Sequence, residues 1–396
     1  MKGSARKVLP FAVVLVVLAA APPSSAAGGW KHQSSPNPGA FTSIFYSVTT
    51  ASSTDAWAAG VALIAPGARC QTLTEHYNGT KWSPVASPNP GSANDYLYGV
   101  KMTSSSNAWA VGTYGTTAAS KTLVLRYDGS TWTQQSSPSP DAALNTLTAV
   151  SATSATNAWA VGARGFGSPW PDCSEYARPG AASPTIVGLV SERTLIEHYD
   201  GTNWTTQGSA NPGGCSNALY GVSATSATDA WAAGSWSKDC SEGSDRTLIE
   251  HDDGSGWVRM PTPSPGSFGD ILFSISAVDP SDVWAVGAEL TGTGYGSGLF
   301  LHYDGAKWTA YKIKKTLTPL FGVKATSSTN VWAVGRDGLD PLIMHFNGTS
   351  WKRQTVKAPA GPGVLDGVGA TGPGNAFAAG SYEPSTGKDT LVYRYA

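Results

Sequence analysis

The sequence predicts an all-β fold, a seven-bladed β-propeller of four-stranded antiparallel blades. Two repeated segments carry this prediction. A segment of the type LYGVSATSATDAWAAG, as it stands at 219–234, recurs seven times, and a segment of the type HYDGTxW follows each of the first six copies. Self-similarity at a period of about 50 residues is the signature of a repeat architecture. Four short strands in every repeat are typical of a propeller blade.

Each repeat contains four candidate strands in a fixed order. The LYGVSA type is the innermost, AWAVG the second, TLIEHY the third, and the segment that begins at the tryptophan after DGT the fourth. The second is apolar without alternation because both of its faces are expected to pack against neighbouring blades. Asp-Gly or Asn-Gly joins the third strand to the fourth and favours a type I′ hairpin turn. No long 3.6-residue apolar period occurs, so helix should be nearly absent.

Two single positions also recur in all seven copies. The third position of the innermost strand is always small, as crowding around a central axis requires: Ser47, Gly99, Ala149, Gly221, Ser274, Gly322 and Gly367. The residue before each AWA-type strand is Asp or Asn, which suits a turn through local side-chain hydrogen bonds: Asp55, Asn107, Asn157, Asp229, Asp282, Asn330 and Asn375.

The seventh repeat lacks its outer strand because the chain stops at Tyr395 and Ala396. The missing tryptophan occurs at the other end, where residues 28–32 read GGWKH and Trp30 is followed by SSPNPG. We therefore expect the N-terminal strand around Trp30 to complete blade seven and close the ring.

Residues 1–27 predict a secretory signal peptide. Basic Lys2, Arg6 and Lys7 precede an apolar core and a small-residue cleavage region. The apolar run is short for a membrane span, so no membrane insertion is expected after signal removal. Residues 28–396 then form a single, secreted, extracellular propeller domain. Loss of the signal changes the formal net charge from −1 to −4, and a weakly acidic chain without a basic run predicts no nucleic-acid partner.

The apolar strand that ends in glycine, followed by a tyrosine and then a tryptophan, resembles the kelch and galactose-oxidase type of bacterial propeller repeat. Val-Gly or Ala-Gly stands here where that family has a glycine pair, and HYDGTxW stands where it tends to have YDPxTxxW. The resemblance covers residues 28–396 and implies the fold. It implies little about activity, since propellers serve as enzymes, lectins and scaffolds alike.

Repetition separates structural residues from candidates for chemistry. Only Trp170 and Trp236 among the 15 tryptophans, and only His32 among the six histidines, lie outside a repeated position. A metal site or a nucleophilic triad needs convergent histidines or a base near a nucleophile. No HExxH, P-loop, nucleophile elbow or CxxC motif is present. The sequence therefore assigns no catalytic residue and favours binding over catalysis.

Insertions concentrate on one face of the predicted propeller, the face that carries the second-to-third strand loops and the links between blades. We call it the loop-rich face; its longest insertion is 163–191. Aromatic rings pack on the C–H faces of sugars, and loops on a rigid scaffold commonly carry function. The candidate ligand-binding aromatics on this face are Trp170, Tyr176, Trp236 and Tyr295. The alternative for the two tryptophans is that they anchor their insertions to the blade edge.

Four polar residues precede the innermost strands of blades two to five: Asp95, Asn145, Asn217 and Asp270. They predict either a polar ligand-binding ring at the mouth of the channel or a set of turn-forming groups.

All four cysteines lie on the loop-rich face, and an even number in an exported chain predicts two disulfides. Cys215 and Cys240 both flank blade four and are the favoured pair, which leaves Cys70 to Cys173. Asp-Cys-Ser-Glu occurs at both 172–175 and 239–242. These acids are a candidate Ca²⁺ site together with Asp245. The alternative is a local duplication whose acids face water, because the spacing matches no EF-hand loop; no other cofactor is predicted.

The leading functional hypothesis is a secreted, non-enzymatic, lectin-like module that binds a carbohydrate or cell-surface glycan on the loop-rich face. One alternative is a polysaccharide lyase or glycosidase of propeller fold that uses carboxylates and tyrosines as acid and base. Another is a scaffold that binds an extracellular protein partner.

Overall fold

The computed structural model describes residues 28–396 except 40, 66, 116–118, 166–191, 242, 293, 312–318 and 385–386. Within these ranges the regular secondary structure is entirely β-strand, in seven four-stranded sheets. Six sheets pair their strands in chain order, and all pairings within the sheets are antiparallel. The predicted seven-bladed propeller is confirmed. No helix in the described ranges has the length and apolarity needed to cross a membrane.

The strands of each blade are named inner, second, third and outer, from the axis to the rim. The inner strands are Thr42–Ser52, Asp95–Ser104, Leu144–Ser154, Asn217–Ala224, Asp270–Asp279, Leu320–Ser327 and Gly363–Gly372. The second strands are Asp55–Leu63, Asn107–Gly115, Asn157–Gly165, Ala230–Ser237, Asp282–Thr291, Asn330–Asp337 and Asn375–Tyr382. The third strands are Cys70–Tyr77, Ser120–Tyr127, Glu192–Tyr199, Asp245–Asp252, Gly294–Tyr303, Asp340–Phe346 and Asp389–Tyr395. The outer strands are Trp82–Pro84, Trp132–Gln135, Trp204–Thr206, Val258–Arg259, Trp308–Ala310, Trp351–Arg353 and, for blade seven, Trp30–Gln33.

The N-terminal strand closes the ring as predicted. It pairs antiparallel with the last strand of the chain, with Trp30 opposite Tyr395 and Gln33 opposite Val392. Trp30 is buried against Trp332 and Tyr393 in the hydrophobic cluster between blades six and seven. The first and last strands of the described chain therefore lie in one sheet.

An edge-to-face aromatic pair joins every blade to the next. At the first junction the rings of Trp57 and Trp132 lie 5.1 Å apart at 85°. Such pairs contribute about 0.5–1.5 kcal/mol beyond the burial of their area. The complete set is Trp57–Trp132, Trp109–Trp204, Trp159–Trp257, Trp231–Trp308, Trp284–Trp351, Trp332–Trp30 and Phe377–Trp82.

Every inner strand carries a β-bulge in its first half. At that point the register against the second strand skips one residue in every blade, and a bulge leaves its extra residue outside the ladder. The skipped residues are Tyr46, Tyr98, Thr148, Tyr220, Phe273, Phe321 and Asp366. All seven line the central channel, so the bulges direct one side chain per blade toward the axis.

The residue after each bulge is small because neighbouring inner strands nearly touch. A Cβ on Gly99 would lie 3.0 Å from the Cα of Ala149 in the next blade. Where the residue is serine, its hydroxyl joins the strands instead: Ser47 Oγ accepts the N–H of Val100 at 3.2 Å. The predicted crowding around the axis is confirmed.

The repeated histidines are structural. His251 stacks on Trp231 with ring centroids 3.8 Å apart, and its Nε2 lies 2.9 Å from a carboxylate oxygen of Asp229. Four other blades repeat this arrangement, as His76–Asp55, His198–Asn157, His302–Asp282 and His345–Asn330. The sequence predicted only the turn role of the Asp or Asn and did not predict its histidine partner.

The hairpin turn differs from the predicted type I′, which needs positive φ at two central residues. In the turn after Tyr127, Gly129 has a φ of 100°, and Asp128 is not among the residues with positive φ. The carboxylate of Asp128 accepts the N–H groups of Ser130 and Thr131, each at 2.9 Å. Asp or Asn is therefore needed here as a side-chain acceptor.

The Ser-Pro-Asn-Pro links between blades are held against the third strands. In blade one, the N–H of Thr72 donates to Asn89 Oδ1 at 2.8 Å, and the hydroxyls of Thr72 and Ser87 lie 2.7 Å apart. Thr122, Thr194, Thr247 and Thr390 repeat the backbone contact. These bonds fix the rim of the loop-rich face.

Candidate functional site in the central channel

The inner strands enclose a central channel with a cavity of about 250 Å³. Two sets of seven side chains line it, one residue from each blade. The upper ring consists of the seven bulge residues. The lower ring lies three residues further along each strand and consists of Thr49, Lys101, Ser151, Ser223, Ser276, Lys324 and Gly369. A rise of about 3.3 Å per residue separates the rings by roughly 10 Å. The upper ring is nearer the loop-rich face because every inner strand starts there.

Five of the seven upper-ring residues are aromatic, and their rings touch. Tyr46 and Tyr98 have centroids 5.4 Å apart, and Phe273 and Phe321 have centroids 5.3 Å apart. Tyr295, from the blade-five insertion, adds a sixth ring 5.5 Å from Phe273. We call this set the aromatic collar; it comprises Tyr46, Tyr98, Tyr220, Phe273, Phe321 and Tyr295. Apolar ring faces thus surround the axis at the loop-rich end.

Two polar residues interrupt the aromatic collar. Thr148 in blade three donates its hydroxyl to the carbonyl of Leu219 at 2.8 Å. Asp366 in blade seven supplies a carboxyl group to the lining of the channel. Burial, together with the nearby carboxylate of Glu192, raises the pKa of Tyr220 well above its usual value. The Tyr220 phenol is therefore neutral and able to donate a hydrogen bond.

The lower ring is polar and carries two cations. Lys101 and Lys324 are half-buried on nearly opposite sides of the channel. No carboxylate of the described chain lies within 4.0 Å of either ammonium group. Desolvation lowers the pKa of Lys101. Desolvation, followed by the charge of Lys101, lowers the pKa of Lys324 to about 7.

Tyr295 is the sequence-predicted site residue that lies in the aromatic collar. The other collar residues were not predicted, although a signal was present. Each precedes the small residue of an inner strand, and five of those seven preceding residues are aromatic. Because the sequence does not reveal the bulge, these aromatic residues could not be distinguished from side chains of the hydrophobic core.

The four polar residues predicted before the inner strands lie beneath the links between blades. Their side chains are almost fully buried, from 0% exposed for Asp95 and Asp270 to 2% for Asn217. Each accepts a backbone N–H from four residues earlier, as Gly91 donates to Asp95 at 2.8 Å; the equivalent pairs are Asp141–Asn145, Gly213–Asn217 and Gly266–Asp270. This is the turn-forming role. A part in ligand binding stays a prediction for these residues.

Trp236 packs in the cluster between blades three and four, beside residues that include Leu219 and Trp257. The guanidinium of Arg259 lies 4.7 Å from its ring centroid. Both contacts fit the predicted anchoring role. Trp170 and Tyr176 lie outside the described residues.

The Cys215–Cys240 disulfide is confirmed, with Cα atoms 5.3 Å apart. Cys70 is also disulfide-bonded, whereas Cys173, its predicted partner, lies outside the described residues. In the candidate Ca²⁺ segment, Asp239 accepts the N–H and O–H of Ser241. Glu242 is outside the described part, and no three His, Cys, Asp or Glu side chains within it are grouped to hold a metal ion.

Comparison with known proteins yields no matching family model and no matching curated protein. Solved structures do match over nearly the whole chain. The structure of YCF48 bound to a D1 peptide has a TM-score of 0.54 and 12% identity and covers 93% of this chain and 95% of its own. The structure of U3-55K has a TM-score of 0.55 and 7% identity, with coverages of 93% and 98%. The acylaminoacyl peptidase of Pyrococcus horikoshii has a TM-score of 0.52 and 7% identity, with coverages of 88% and 50%. At these identities the likeness shows the propeller fold alone.

Proposed function

We propose that this protein is a secreted, non-enzymatic binding module that takes a carbohydrate end into the channel from the loop-rich face. The observation that carries the proposal is the aromatic collar. Sugar rings present C–H faces that pack on aromatic side chains, and the collar offers such faces around one axis. Thr148, Asp366 and the neutral phenol of Tyr220 supply hydrogen-bonding groups for sugar hydroxyls.

The size of the cavity favours a small unit of the ligand. Its volume of about 250 Å³ is slightly below the roughly 300 Å³ at which pockets for small molecules begin. A single terminal sugar fits that space better than the middle of a long chain. The remaining sugars would extend over the loop-rich face.

The number of acidic side chains in the channel lining favours binding over glycosidase chemistry. Glycoside hydrolysis uses two carboxyl groups separated by about 5–10 Å. Asp366 is the acidic residue that the described chain contributes to the channel lining. The lyase or glycosidase alternative therefore needs a second acid from the loops.

Export is part of the proposal. The Cys215–Cys240 bond supports it, because structural disulfides persist in oxidising compartments. The signal peptide at residues 1–27 and the kinship with kelch and galactose-oxidase type repeats are supported by the sequence alone.

The test is retention of the purified protein on a panel of immobilised polysaccharides, with released products measured in parallel. Phe273→Ala and Tyr295→Ala should each weaken retention about tenfold or more. Val258→Ala is the control, because this apolar residue is 59% exposed and lies on the outer strand of blade four, away from the collar. Unchanged retention in both collar variants would contradict the proposal. Released oligosaccharides would favour the enzyme alternative. If no polysaccharide retained the protein and one stoichiometric protein partner were captured from culture supernatant, the scaffold alternative would be favoured.

A further inference from the structure

Lys101 and Lys324 are exceptions to the repeat at their position. The other five blades place Thr, Ser or Gly at this point of the inner strand. A blade therefore does not need a lysine there to fold. Because a charge removed from water is costly unless it is paired, two lysines with no carboxylate partner among the described residues indicate a role outside blade packing.

The two ammonium groups face the same cavity. Three serines separate them on one side of the ring, and Thr49 and Gly369 separate them on the other. They are near enough for the charge of Lys101 to lower the pKa of Lys324. An anion between them would relieve both the repulsion and the desolvation.

The serines of the lower ring add hydrogen-bond donors. Ser151 Oγ accepts the N–H of Ala224 at 3.0 Å, and Ser276 Oγ accepts the N–H of Ala325 at 3.0 Å. Ser223 makes the same contact with Ala277. A hydroxyl that accepts from the backbone keeps its own proton for donation, so the ring combines O–H donors with two cations.

We propose that the lower ring binds one compact oxyanion, held between the ammonium groups of Lys101 and Lys324 and by the hydroxyls of the ring serines. The recognised chemistry is a single carboxylate or phosphate-like group. Its source is either a free inorganic anion or the carboxylate of an acidic sugar whose ring reaches the aromatic collar. The first source does not depend on the proposed carbohydrate function.

The pH dependence follows from the groups that line the channel. Besides the lysines, the titratable residues are Asp366, Tyr46, Tyr98 and Tyr220 of the upper ring. Anion binding needs both lysines protonated. Since the pKa of Lys324 in the free protein is about 7, affinity should fall as pH rises above about 7.

The experiment is calorimetric titration of the purified protein with inorganic phosphate, glucuronate and, as a neutral control, methyl glucoside, at constant ionic strength set with NaCl. Lys101→Gln and Lys324→Gln should each weaken anion binding at least tenfold. Lys307→Gln, which replaces an exposed lysine of a hairpin turn, is the matched control. Lys101→Met and Lys324→Met keep most of the length of the side chain and show by their Tm that the fold persists without the charge.

The arms of the titration distinguish the sources. Binding of phosphate and glucuronate alike indicates an inorganic anion site, and tighter binding of glucuronate indicates an acidic sugar. No anion binding by the parent protein, or binding that survives both lysine substitutions, would overturn the proposal. Loss of anion binding in Lys324→Gln together with retained binding of a neutral glycan would separate this site from the collar.

Discussion

Trp30 packs edge-to-face on Trp332, with ring centroids 5.2 Å apart and planes at 87°. The first strand of the propeller thus contacts blade six with the same geometry by which Trp132 of blade two contacts Trp57. A residue of the first described strand therefore completes a repeated contact whose other partner lies in blade six.

Trp30→Ala should destabilise the protein by about 3–5 kcal/mol, because it leaves a cavity at the closing junction. Deletion of residues 28–35 should lower Tm at least as much. Lys31→Ala on the same strand is the control, since Lys31 is exposed. A Tm equal to that of the parent after the deletion would refute closure by this strand.

The buried glutamates of the third strands should make stability depend on pH. Burial raises the pKa of Glu75 and of Glu197 to about 8, from 4.5. Between about pH 4.5 and 8 the folded protein therefore holds protons that the unfolded chain has released, and the free energy of unfolding falls as pH rises.

Glu197→Leu should raise the free energy of unfolding at pH 9 by about 2–4 kcal/mol and change it little at pH 5. Leucine fits the position, because blade two has Leu125 there. Glu250 is the comparison: it accepts the N–H of Ala210 at 2.9 Å, and its pKa rises only to about 7. If denaturant titrations gave the same increase in the free energy of unfolding at pH 5 and pH 9, Glu197 would not titrate as described.

Asp229, which precedes the second strand of blade four and bonds His251, should tolerate replacement by an amide but not by alanine. Asp229→Asn should retain stability, because Asn157 and Asn330 bond their histidines at 2.7 Å. Asp229→Ala should cost about 1–3 kcal/mol through the unpaired His251. Chemical denaturation separates the two variants. Equal loss in both would instead point to a need for the carboxylate charge.

Non-reducing peptide mapping should recover Cys215 joined to Cys240, and Cys70 joined to Cys173. Replacing Cys215 and Cys240 together by serine should cost about 2–4 kcal/mol, since their separation of 25 residues closes a loop of moderate length. A free thiol in the unreduced protein would contradict the two-bridge arrangement.

Trp236→Ala should lower Tm and leave ligand retention unchanged, because Trp236 packs between blades and beneath Arg259. Arg259→Ala, which removes only the cation over the ring, should have a smaller effect. If Trp236→Ala abolished retention on the polysaccharides and left Tm unchanged, Trp236 would instead be a ligand-binding residue.

Repetition made the fold predictable from sequence, because a strand pattern that is weak in one repeat becomes clear when it recurs in the others. Closure by Trp30 followed from the missing copy at Tyr395. The channel site was harder to predict, since it depends on register. The bulge at Tyr46 shifts the register within the strand Thr42–Ser52, and sequence alternation does not reveal the skipped residue. The pairing of His251 with Asp229 was missed for a related reason, because only the three-dimensional strand pairing brings the turn at Asp229 beside the third strand.

The bulge in each inner strand separates the residue that lines the channel from the residues that pair in the sheet. The side chain at that point takes no part in the strand ladder, and the seven blades already tolerate Tyr, Thr, Phe and Asp there. Substitutions at these seven positions can therefore change the side chains that line the channel, while the residues that define each blade stay unchanged. Libraries randomised at Tyr46, Thr148 and Asp366 alone should retain a high fraction of folded members, which makes this propeller a scaffold for directed evolution of new binders.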